Sequence, residues 1–330
     1  MNILLTINRS FYRQSMVLLQ SILEHNNMPI DAYIAYSDLQ EKEIRTLTDY
    51  CSRQNITLHL IQQNDAAFMG LRIAGPFPYE VYYRILAHEY LPENEERVLY
   101  LDSDIICNGS LEELYNMDFE GCYLIACAQE AVFWKEPDAV RENWDDAKAA
   151  RGAYFNTGVL LLNCSRFREE TITMDTYRNA LKSMIPNYIF DQGLLNVLFA
   201  RESKLIPAET YNYRYGKAVL QAADKTEVTP NFQARLIHFA SEISPYKPWD
   251  LLLDDEEIQH YHMNQFKQPP SPNFIVNKAI NDLSKIWWHY AEQTPVYDEL
   301  RYEMNVKKEW FKRGIGGYLK RLQATATKES

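Results

Sequence analysis

Two carboxylates with a spacing that suits metal binding, Asp102 and Asp104, directly follow the apolar run Val98-Leu99-Tyr100-Leu101. A short, continuous apolar run is typical of a strand that is buried on both faces in the middle of a parallel sheet. In an extended chain, residues i and i+2 point to the same side, so we expect both carboxylates to reach one site. Two hard oxygen ligands at the carboxyl end of a central strand could hold a divalent cation against a diphosphate.

The same spacing has other interpretations, because 45 of the 330 residues are acidic. A calcium-binding loop counted from Asp102 would have Glu113 as its twelfth residue. Such a loop needs a polar ligand and a glycine where this chain has Ile106 and Cys107, which argues against it. The spacing alone leaves open both a metal–diphosphate site and a common acidic pair on the solvated surface.

The composition indicates a globular protein with a large core. The hydrophobic fraction of 46% and charged fraction of 24% are ordinary, and 330 residues suffice for one large domain with or without an appendage. No run approaches the roughly 18 apolar residues of a membrane span. The apolar start, residues 1–7, lacks a basic lead and a cleavage site, so we interpret it as a first core strand rather than a signal peptide.

Charge and cysteine usage exclude several further classes. A net charge of −11 argues against a nucleic-acid-binding protein, which needs a basic face for phosphates. The five cysteines are odd in number and form no CxxC pair. They predict reduced, mostly buried thiols in a cytoplasmic protein rather than disulfides or a zinc site.

The hydrophobic pattern alternates strands and helices from the start of the chain. Strands are predicted at 3–7, 32–36 and 56–61, with helices at 10–25 and 39–52 between them. This order predicts a doubly wound, mostly parallel sheet. Neither a GxGxxG after the first strand nor a GxxxxGK[ST] is present, so phosphate binding by a glycine-rich loop is not expected.

The later elements follow the same alternation. They are a helix over 77–90, strands at 98–101, 122–128, 159–163 and 236–239, a helix over 166–184 and another that opens at 191. Residues 129–152 are polar and irregular, which is typical of an excursion over a site, such as a lid.

Four polar residues near these elements each have an ordinary interpretation. Arg84 is expected to be a surface group whose stem covers packing, and Asn156 a turn residue unless it faces a cleft. Asp191 suits a helix N-cap, which leaves its neighbour Gln192 unexplained. His238 is either a hydrogen-bonded core residue or the third ligand of a two-carboxylate metal site.

The character of the chain changes near residue 250, so we predict a main domain at 1–250 and a linker with a helical region at 251–330. The stretch 268–272 is proline-rich, and helices are predicted over 274–290 and 296–322. Residues 303–330 carry seven Lys or Arg against three Glu, interleaved with apolar residues. This segment is either a basic amphipathic helix for an anionic membrane surface or an ordinary helix packed on its own domain.

Five motifs stand in order over residues 2 to 250. They are Arg84, Leu99-Tyr100-Leu101-Asp102-Ser103-Asp104, Tyr154-Phe155-Asn156-Thr157-Gly158-Val159-Leu160-Leu161, Phe190-Asp191-Gln192, and His238 followed by Lys247-Pro248-Trp249. Together they resemble the family 8 retaining glycosyltransferases, a group that includes bacterial lipopolysaccharide galactosyl- and glucosyltransferases and glycogenin.

The resemblance implies an α/β fold of the GT-A type, which is a Rossmann-like, mostly parallel sheet flanked by helices, here with a C-terminal helical extension. It also implies a UDP-glucose or UDP-galactose donor, a bound Mn²⁺ with Mg²⁺ as an alternative, and a glycan or glycolipid acceptor of the bacterial cell envelope. Such an enzyme would be cytoplasmic. The charge pattern of 303–330, outside the resemblance, adds peripheral contact with the inner face of the membrane if this segment is the basic amphipathic helix rather than the packed one.

The family's roles carry over position by position. The metal would be held by Asp102, Asp104 and His238, and Lys247 would pair with the diphosphate. Nucleotide contacts fall to Thr6, Asn8, Phe11 and Ser103, and Asp102 would also face the nucleotide-sugar. Donor-sugar contacts fall to Arg84, Gln129, Asn156 and Asp191. Gln192 would lie beside the anomeric carbon, and with Asp191 it forms the expected catalytic pair.

Three positions depart from the family pattern. Asn8 and Gln129 stand where aspartate is frequent, which leaves the donor sugar open. Lys247 follows His238 by nine positions without an intervening glycine, so Ser241 or Ser244 would have to approach the phosphate instead. Two alternatives therefore remain: a protein- or self-glucosylating enzyme of the glycogenin type, and a nucleotide-sugar-binding protein with little catalysis.

Retention of configuration by double displacement would need a carboxylate nucleophile, and the position expected to face the sugar is a glutamine. The resemblance therefore favours front-face attack by the acceptor hydroxyl, whose proton passes to the departing phosphate. Gln192 would position and stabilise the oxocarbenium-like centre.

Overall fold

A computed structural model of the chain describes residues 1–71, 79–129, 154–182, 191–214, 230–240, 247–252 and 272–309, with the backbone alone at 272–280. The predicted lid at 129–152 lies outside these residues except for Gln129, and so does nearly all of the linker at 268–272. Ser241 and Ser244 also lie outside them.

A seven-stranded sheet forms the centre of the fold. The described residues form ten strands, seven of which belong to this sheet. In chain order they are β1 (Asn2–Ile7), β2 (Asp31–Tyr36), β3 (Thr57–Gln62), β4 (Arg97–Leu101), β5 (Ile105–Cys107), β6 (Leu124–Ala128), β7 (Phe155–Asn163), β8 (Ser203–Ile206), β9 (Tyr213–Arg214) and β10 (Leu236–His238). The large sheet has the order β3-β2-β1-β4-β7-β6-β8. Only β7 runs antiparallel to its two neighbours, so the predicted mostly parallel sheet is confirmed.

The middle of this sheet is fixed by burial. β4 lies between β1 and β7, and Val98, Leu99 and Leu101 are fully buried, as the apolar run predicted. Fully burying one such side chain stabilises the fold by about 1.5–3 kcal/mol. The pairing of Ile3 with Leu99 and of Leu101 with Val159 holds β4 in one register. The residues that leave its carboxyl end therefore start from a defined point.

Helices flank the large sheet in the described part of the chain. Their bounds are Tyr12–His25, Glu41–Arg53, Glu80–Tyr83, Ala87–Tyr90, Glu112–Tyr115, Cys164–Glu169, Met174–Lys182, Asp191–Phe199 and Ala208–Tyr211. Short 3₁₀ helices occupy Asp65–Phe68, Arg84–Leu86 and Ala200–Glu202. The first two α-helices agree with the prediction within two residues at each end.

Two predicted helices are interrupted. The helix expected over 77–90 is divided by the 3₁₀ turn Arg84–Leu86, which tightens the backbone where Arg84 turns inward. The helix expected over 166–184 is divided between Glu169 and Met174, where Thr171 adopts a left-handed φ of 54°. A residue in that conformation ends a right-handed helix, and the flanking β-branched residues do not favour its continuation.

A small sheet of order β5-β10-β9 lies beyond the carboxyl end of β4. β10 is antiparallel to β5, and His238 is registered opposite Ile105. This pairing brings a histidine 134 residues away in sequence to the position that follows Asp104.

The chain divides into two contact units, 1–213 with 233–238, and 214–232 with 239–330. In the second unit, helices span Pro272–Ala291 and 297–309, and the indole rings of Trp249 and Trp287 lie 5.3 Å apart. The predicted boundary at residue 250 stays a prediction. The helices that the structure describes include none long and apolar enough to cross a membrane.

Candidate active site

Three potential metal ligands converge beyond the end of β4. One ligand atom each from Asp102, Asp104 and His238 lies within 4.8 Å of the other two. His238 Nε2 is 3.0 Å from Asp104 Oδ1 and 3.7 Å from Asp102 Oδ2. The imidazole is only 2% exposed, so this is a buried ligand at the base of two partly exposed carboxylates. Two carboxylates and an imidazole are a donor set that suits a divalent metal.

The carboxylates meet for a different reason from the one expected. The backbone does not continue as extended chain but turns at Asp102–Asp104, where the Ile105 N–H donates to the Asp102 carbonyl at 3.2 Å. The Asp102 N–H in turn donates to the carbonyl of Gly158 in β7 at 2.9 Å. The convergence is confirmed, but it comes from a turn tied to β7 rather than from the alternation of a strand.

Gly158 is placed directly against this cluster. A Cβ at this position would lie 2.5 Å from His238 Cε1, 2.8 Å from Asp102 Oδ2 and 2.9 Å from Asn156 Oδ1. Real Cβ atoms do not approach other atoms this closely, so glycine is required by space rather than by backbone conformation. The glycine of the Asn156-Thr157-Gly158 motif lets β7 approach the candidate ligands.

Arg84 is buried, and the expectation of a surface arginine is wrong. Its side chain is 6% exposed, with Nη1 3.1 Å from Asp102 Oδ1 and Nε 3.4 Å from Asp191 Oδ2. Its Nη1 also donates to the Thr157 carbonyl at 2.7 Å, and the guanidinium carbon lies 4.2 Å from the centre of the Tyr100 ring. The hydrophobic pattern around Arg84 could not predict its burial, because the two carboxylates that balance its charge come from segments distant in sequence.

The pKa of Asp191 is raised above its ordinary value, because the carboxyl is buried. The Arg84 guanidinium and a hydrogen bond from Thr157 Oγ1 at 3.0 Å counteract only part of that effect. Arg84 shares its charge with Asp102, which it approaches more closely, so desolvation prevails at Asp191. Asp191 is the first residue of the Asp191–Phe199 helix, but it serves as the partner of Arg84.

Asn156 lies inside β7, so its interpretation as a turn residue is wrong. A register shift between Ala126 and Cys127 of β6 places Asn156 opposite Cys127. At this irregularity Asn156 Nδ2 donates to Gln192 Oε1 at 3.0 Å. The bulge therefore directs the Asn156 amide toward the helix that carries Gln192. Bulges next to active sites commonly change the direction of a side chain in this way.

The residues expected to contact the nucleotide lie at the carboxyl ends of β1 and β4, with Thr6 inside β1 and the others after the two strands. Thr6 Oγ1 is 3.3 Å from the Tyr100 hydroxyl, which donates to Asp102 Oδ1 at 2.5 Å. Asn8 Oδ1 accepts from the Ser10 N–H at 3.0 Å, and the Asn8 carbonyl accepts from the Phe11 N–H at 3.0 Å. Asn8 and Phe11 are both partly exposed and open the turn between β1 and the first helix.

Two further candidates carry buried oxygens without a hydrogen-bond partner in the part of the chain that the structure describes. Ser103 Oγ and Gln129 Oε1 have no hydrogen-bond partner among the described residues. The backbone N–H of Gln129 donates to the Tyr154 carbonyl at 2.8 Å. Unpaired buried polar atoms are rare and call for an explanation, and a bound polar ligand is one that suits both positions.

Lys247 belongs to the second contact unit, where its Nζ donates to the Phe239 carbonyl at 2.8 Å. Its pairing with a diphosphate stays a prediction. One further residue of the site, Asn212, has no sequence signal; its amide lies between His238 and Asn156. No pattern around Asn212 signals a role, because it follows a four-residue helix far from every motif.

The comparisons with known proteins agree with this geometry. The model of the family described as glycosyl transferase family 8 matches residues 2–252. The chain belongs to this family. Glycosyltransferase GlyF of Streptococcus pneumoniae is 27% identical over 233 residues, which are 71% of this chain and 54% of GlyF. Lipopolysaccharide 1,2-glucosyltransferase of Escherichia coli is 25% identical over 283 residues, which cover 83% of this chain and 80% of that protein. The chain thus spans about half the length of GlyF but most of the second relative.

Solved structures share the fold. Galactosyltransferase LgtC, in complex with donor and acceptor sugar analogs, superposes with a TM-score of 0.69 at 18% identity, covering 92% of this chain and all of that one. Glycosyltransferase GlyE of Streptococcus pneumoniae gives a TM-score of 0.59 at 21% identity, covering 95% and 64%. The GT-A fold is confirmed, and the family makes the chain a glycosyltransferase.

Proposed function

We propose that the protein is a metal-dependent retaining hexosyltransferase that moves glucose or galactose from a UDP-sugar to a glycan or glycolipid acceptor of the bacterial cell envelope. The observation that carries this proposal is the convergence of Asp102, Asp104 and His238 at the end of the central strand. The names of the lipopolysaccharide glucosyl- and galactosyltransferase relatives support a hexose and an envelope glycan.

Asp102, Asp104 and His238 would hold Mn²⁺, or Mg²⁺ in its place. When bound, the metal would neutralise charge on the diphosphate leaving group, as divalent ions do in such sites. Lys247 would add a further positive charge. Thr6, Asn8, Phe11 and Ser103 would contact the nucleotide, with the Phe11 ring against uracil and the Ser103 hydroxyl near the ribose.

The donor sugar would lie beside Arg84, Asn156 and Asp191. The Arg84 guanidinium is held between Asp102 and Asp191, so it can face a sugar hydroxyl only in one orientation. Gln129, whose Oε1 has no partner among the described residues, would discriminate between donor sugars, because glucose and galactose differ in the direction of one hydroxyl. A hydrogen bond that fits one epimer leaves a buried oxygen unpaired with the other.

The chemistry would retain configuration by front-face attack. Gln192 Oε1 accepts from Asn156 Nδ2, and Gln192 Nε2 donates to the Tyr154 hydroxyl at 3.0 Å, so the carboxamide is fixed. Asp191 pairs with Arg84, which makes it a poor nucleophile. These contacts support a role for Gln192 in stabilising the oxocarbenium-like centre, while the departing phosphate takes the proton of the acceptor hydroxyl.

The test is release of UDP from UDP-glucose and UDP-galactose with and without Mn²⁺. We expect metal-dependent release that Asp104→Ala abolishes and that Asp49→Ala, at an exposed carboxylate of the Glu41–Arg53 helix, leaves intact. Metal-independent release by Asp104→Ala would refute the metal site. Binding of a UDP-sugar without release would show a nucleotide-sugar-binding protein instead, and a mass increase of the protein itself would show self-glucosylation.

A second measurement addresses the catalytic group. Gln192→Ala is expected to reduce kcat strongly while the affinity for UDP is kept, because the amide faces the sugar rather than the nucleotide. Near-normal turnover by this variant would show that Gln192 has another role. The anomeric configuration of the product, read by NMR, reports retention directly.

We also propose that the enzyme acts in the cytoplasm and binds the inner face of the membrane through residues 303–330. The basic charge of this segment supports electrostatic attraction to anionic lipid. Co-flotation with vesicles of anionic phospholipid is expected for the full chain and is expected to fall when 303–330 is removed. Equal recovery of both forms would refute the contact.

A further inference from the structure

Five side chains in the first contact unit form a continuous hydrogen-bonded relay from the candidate metal site to Gln192. His238 Nδ1 lies 2.8 Å from Asn212 Oδ1. Asn212 Nδ2 lies 2.7 Å from Asn156 Oδ1, and Asn156 Nδ2 lies 3.0 Å from Gln192 Oε1. Gln192 Nε2 ends the relay at the Tyr154 hydroxyl, 3.0 Å away. Three consecutive carboxamides therefore connect the proposed metal ligand to the proposed catalytic amide.

Two backbone N–H groups determine the direction of every bond in this relay. The Gly158 N–H, which can only donate, meets Asn156 Oδ1 at 2.9 Å, so this atom must be the oxygen. The Thr157 N–H meets Gln192 Oε1 at 3.3 Å and identifies that oxygen in the same way. Neither amide can be flipped without placing an NH₂ group against a backbone donor.

The direction then passes to His238. Since Asn156 Oδ1 is an acceptor, the Asn212 atom facing it must be the NH₂ group, and the other end of Asn212 is its oxygen. An oxygen 2.8 Å from His238 Nδ1 requires that this nitrogen carry the proton. Nε2 is therefore the nitrogen whose lone pair can bind a metal, and it lies beside Asp104 Oδ1 and Asp102 Oδ2, the other two candidate ligands.

We propose that Asn212 is a positioning residue with two functions: it fixes the tautomer of His238 for metal binding, and it aligns Asn156 and Gln192 with the metal site. The inference rests on the proposed function, because it assumes that the cluster binds a divalent cation and that Gln192 faces the sugar. Partners that hold the other nitrogen of a metal-bound histidine commonly change metal affinity or activity by about 10–100-fold when they are removed.

Burial makes this function specific to Asn212. Asn212 and His238 are each 2% exposed, so water has little access to replace the lost oxygen. Without it, the Nδ1 proton is unpaired in a buried place, and the imidazole gains by moving the proton to Nε2, which faces two carboxylates. That tautomer cannot bind a metal through Nε2.

Two substitutions separate the two functions. Asn212→Ala removes the acceptor for His238 and the donor for Asn156 together. Asn212→Asp keeps an oxygen beside His238 Nδ1 but places a second oxygen against Asn156 Oδ1, so only the link toward Gln192 is broken. The first is expected to affect metal binding and transfer, and the second transfer alone.

The first readout is binding of Mn²⁺ alone, measured from the free Mn²⁺ signal in electron paramagnetic resonance. We expect Asn212→Ala to weaken binding by about 10–100-fold and Asn212→Asp to bind as the unmodified chain does, with a lower kcat for UDP-sugar turnover. Unchanged Mn²⁺ affinity in Asn212→Ala would overturn the proposal. Equal losses of Mn²⁺ affinity in both variants would also overturn it.

The second readout is the tautomer itself, from long-range ¹H–¹⁵N spectra of histidine-labelled protein without metal, with the His238 signal assigned by its loss in His238→Gln. We expect Nδ1 to carry a proton in the unmodified chain and in Asn212→Asp, and to lose it in Asn212→Ala, where Nε2 beside the two carboxylates keeps the proton. An Nδ1–H form that persists in Asn212→Ala would refute the positioning function.

Asn26→Ala is the matched control. Asn26 is also a buried asparagine whose amide makes two hydrogen bonds to backbone, to Ile22 and Leu111, but outside the candidate site. It is expected to lower stability without changing Mn²⁺ affinity, so parallel losses of affinity in both variants would indicate a merely structural role. If the unmodified chain itself failed to bind Mn²⁺, the proposed function would fail and not this inference alone.

Discussion

Replacement of Arg84 by methionine tests the electrostatic arrangement of the site most directly. The substitution keeps an apolar stem of similar length but removes the charge that lies between Asp102 and Asp191. Removing one partner of a buried ion pair destabilises by about 3–5 kcal/mol. The carbonyls of Val81 and Thr157, which accept from Arg84 at 2.9 and 2.7 Å, also lose a donor.

Because each unpaired carbonyl adds about 1 kcal/mol and the contributions overlap, we expect a total loss of about 4–6 kcal/mol in the free energy of unfolding. Urea unfolding followed by circular dichroism measures this loss. Arg84→Lys, which keeps the charge but not the planar fork, is expected to lose less. The matched control is Arg97→Met, because Arg97 donates to two carbonyls and lies 5.0 Å from the Phe119 ring without a salt bridge to any described carboxylate.

A double-mutant cycle with Asp191→Asn isolates the charge interaction. In that background no carboxylate remains at one end of Arg84, so Arg84→Met should cost about 2 kcal/mol less than in the unmodified chain. The pKa of Asp191 is already raised by burial, and removing Arg84 raises it further. A raised folded-state pKa means that the folded protein binds the proton more tightly, so Arg84→Met should regain stability as pH falls through that pKa. An equal cost in both backgrounds, with no pH dependence, would refute the electrostatic account.

Three further outcomes are expected. Gly158→Ala should weaken Mn²⁺ binding, since its Cβ would overlap His238. Gly109→Ala should bind Mn²⁺ normally, because its Cβ would meet the flexible Arg235 side chain at 3.2 Å and the Arg235 Cα at an ordinary 3.6 Å; equal affinity of the two variants would contradict the packing argument. Because the folded-state pKa of Asp191 is raised, this carboxyl contributes stability that is lost as pH rises through that pKa. Asp191→Asn should remove this pH dependence, and equilibrium unfolding at several pH values measures it. In the native protein a thiol reagent should modify Cys122 first, because the other four cysteines are buried; rapid reaction of more than one thiol would show that those four are accessible.

The sequence was sufficient for the parts of the fold that depend on local pattern. The apolar runs predicted β1, β2, β3 and β4 within two residues at each end, and the abrupt change at Asp102 located the end of the central strand. These features are set by burial and by short-range periodicity, which can be read from neighbouring residues. The direction of β7 and the small sheet that carries His238 depend on pairings between distant segments.

The candidate site shows the same division. The resemblance brought Asp102, Asp104 and His238 together, and the structure confirms that they meet. The expected environments of Arg84 and Asn156 were wrong, because each is determined by partners far away in sequence. Asn212 could not be found at all, since its function depends only on which two side chains its amide joins.

The hydrogen bond between the Gln129 N–H and the Tyr154 carbonyl has a consequence for how the chain tolerates changes in length. It holds Gln129 and Tyr154, the residues on either side of 130–153, next to each other beside the site. The entropy of closing a loop grows only slowly with its length. A change in the number of residues between Gln129 and Tyr154 should therefore cost little stability, while β6 and β7 keep their register.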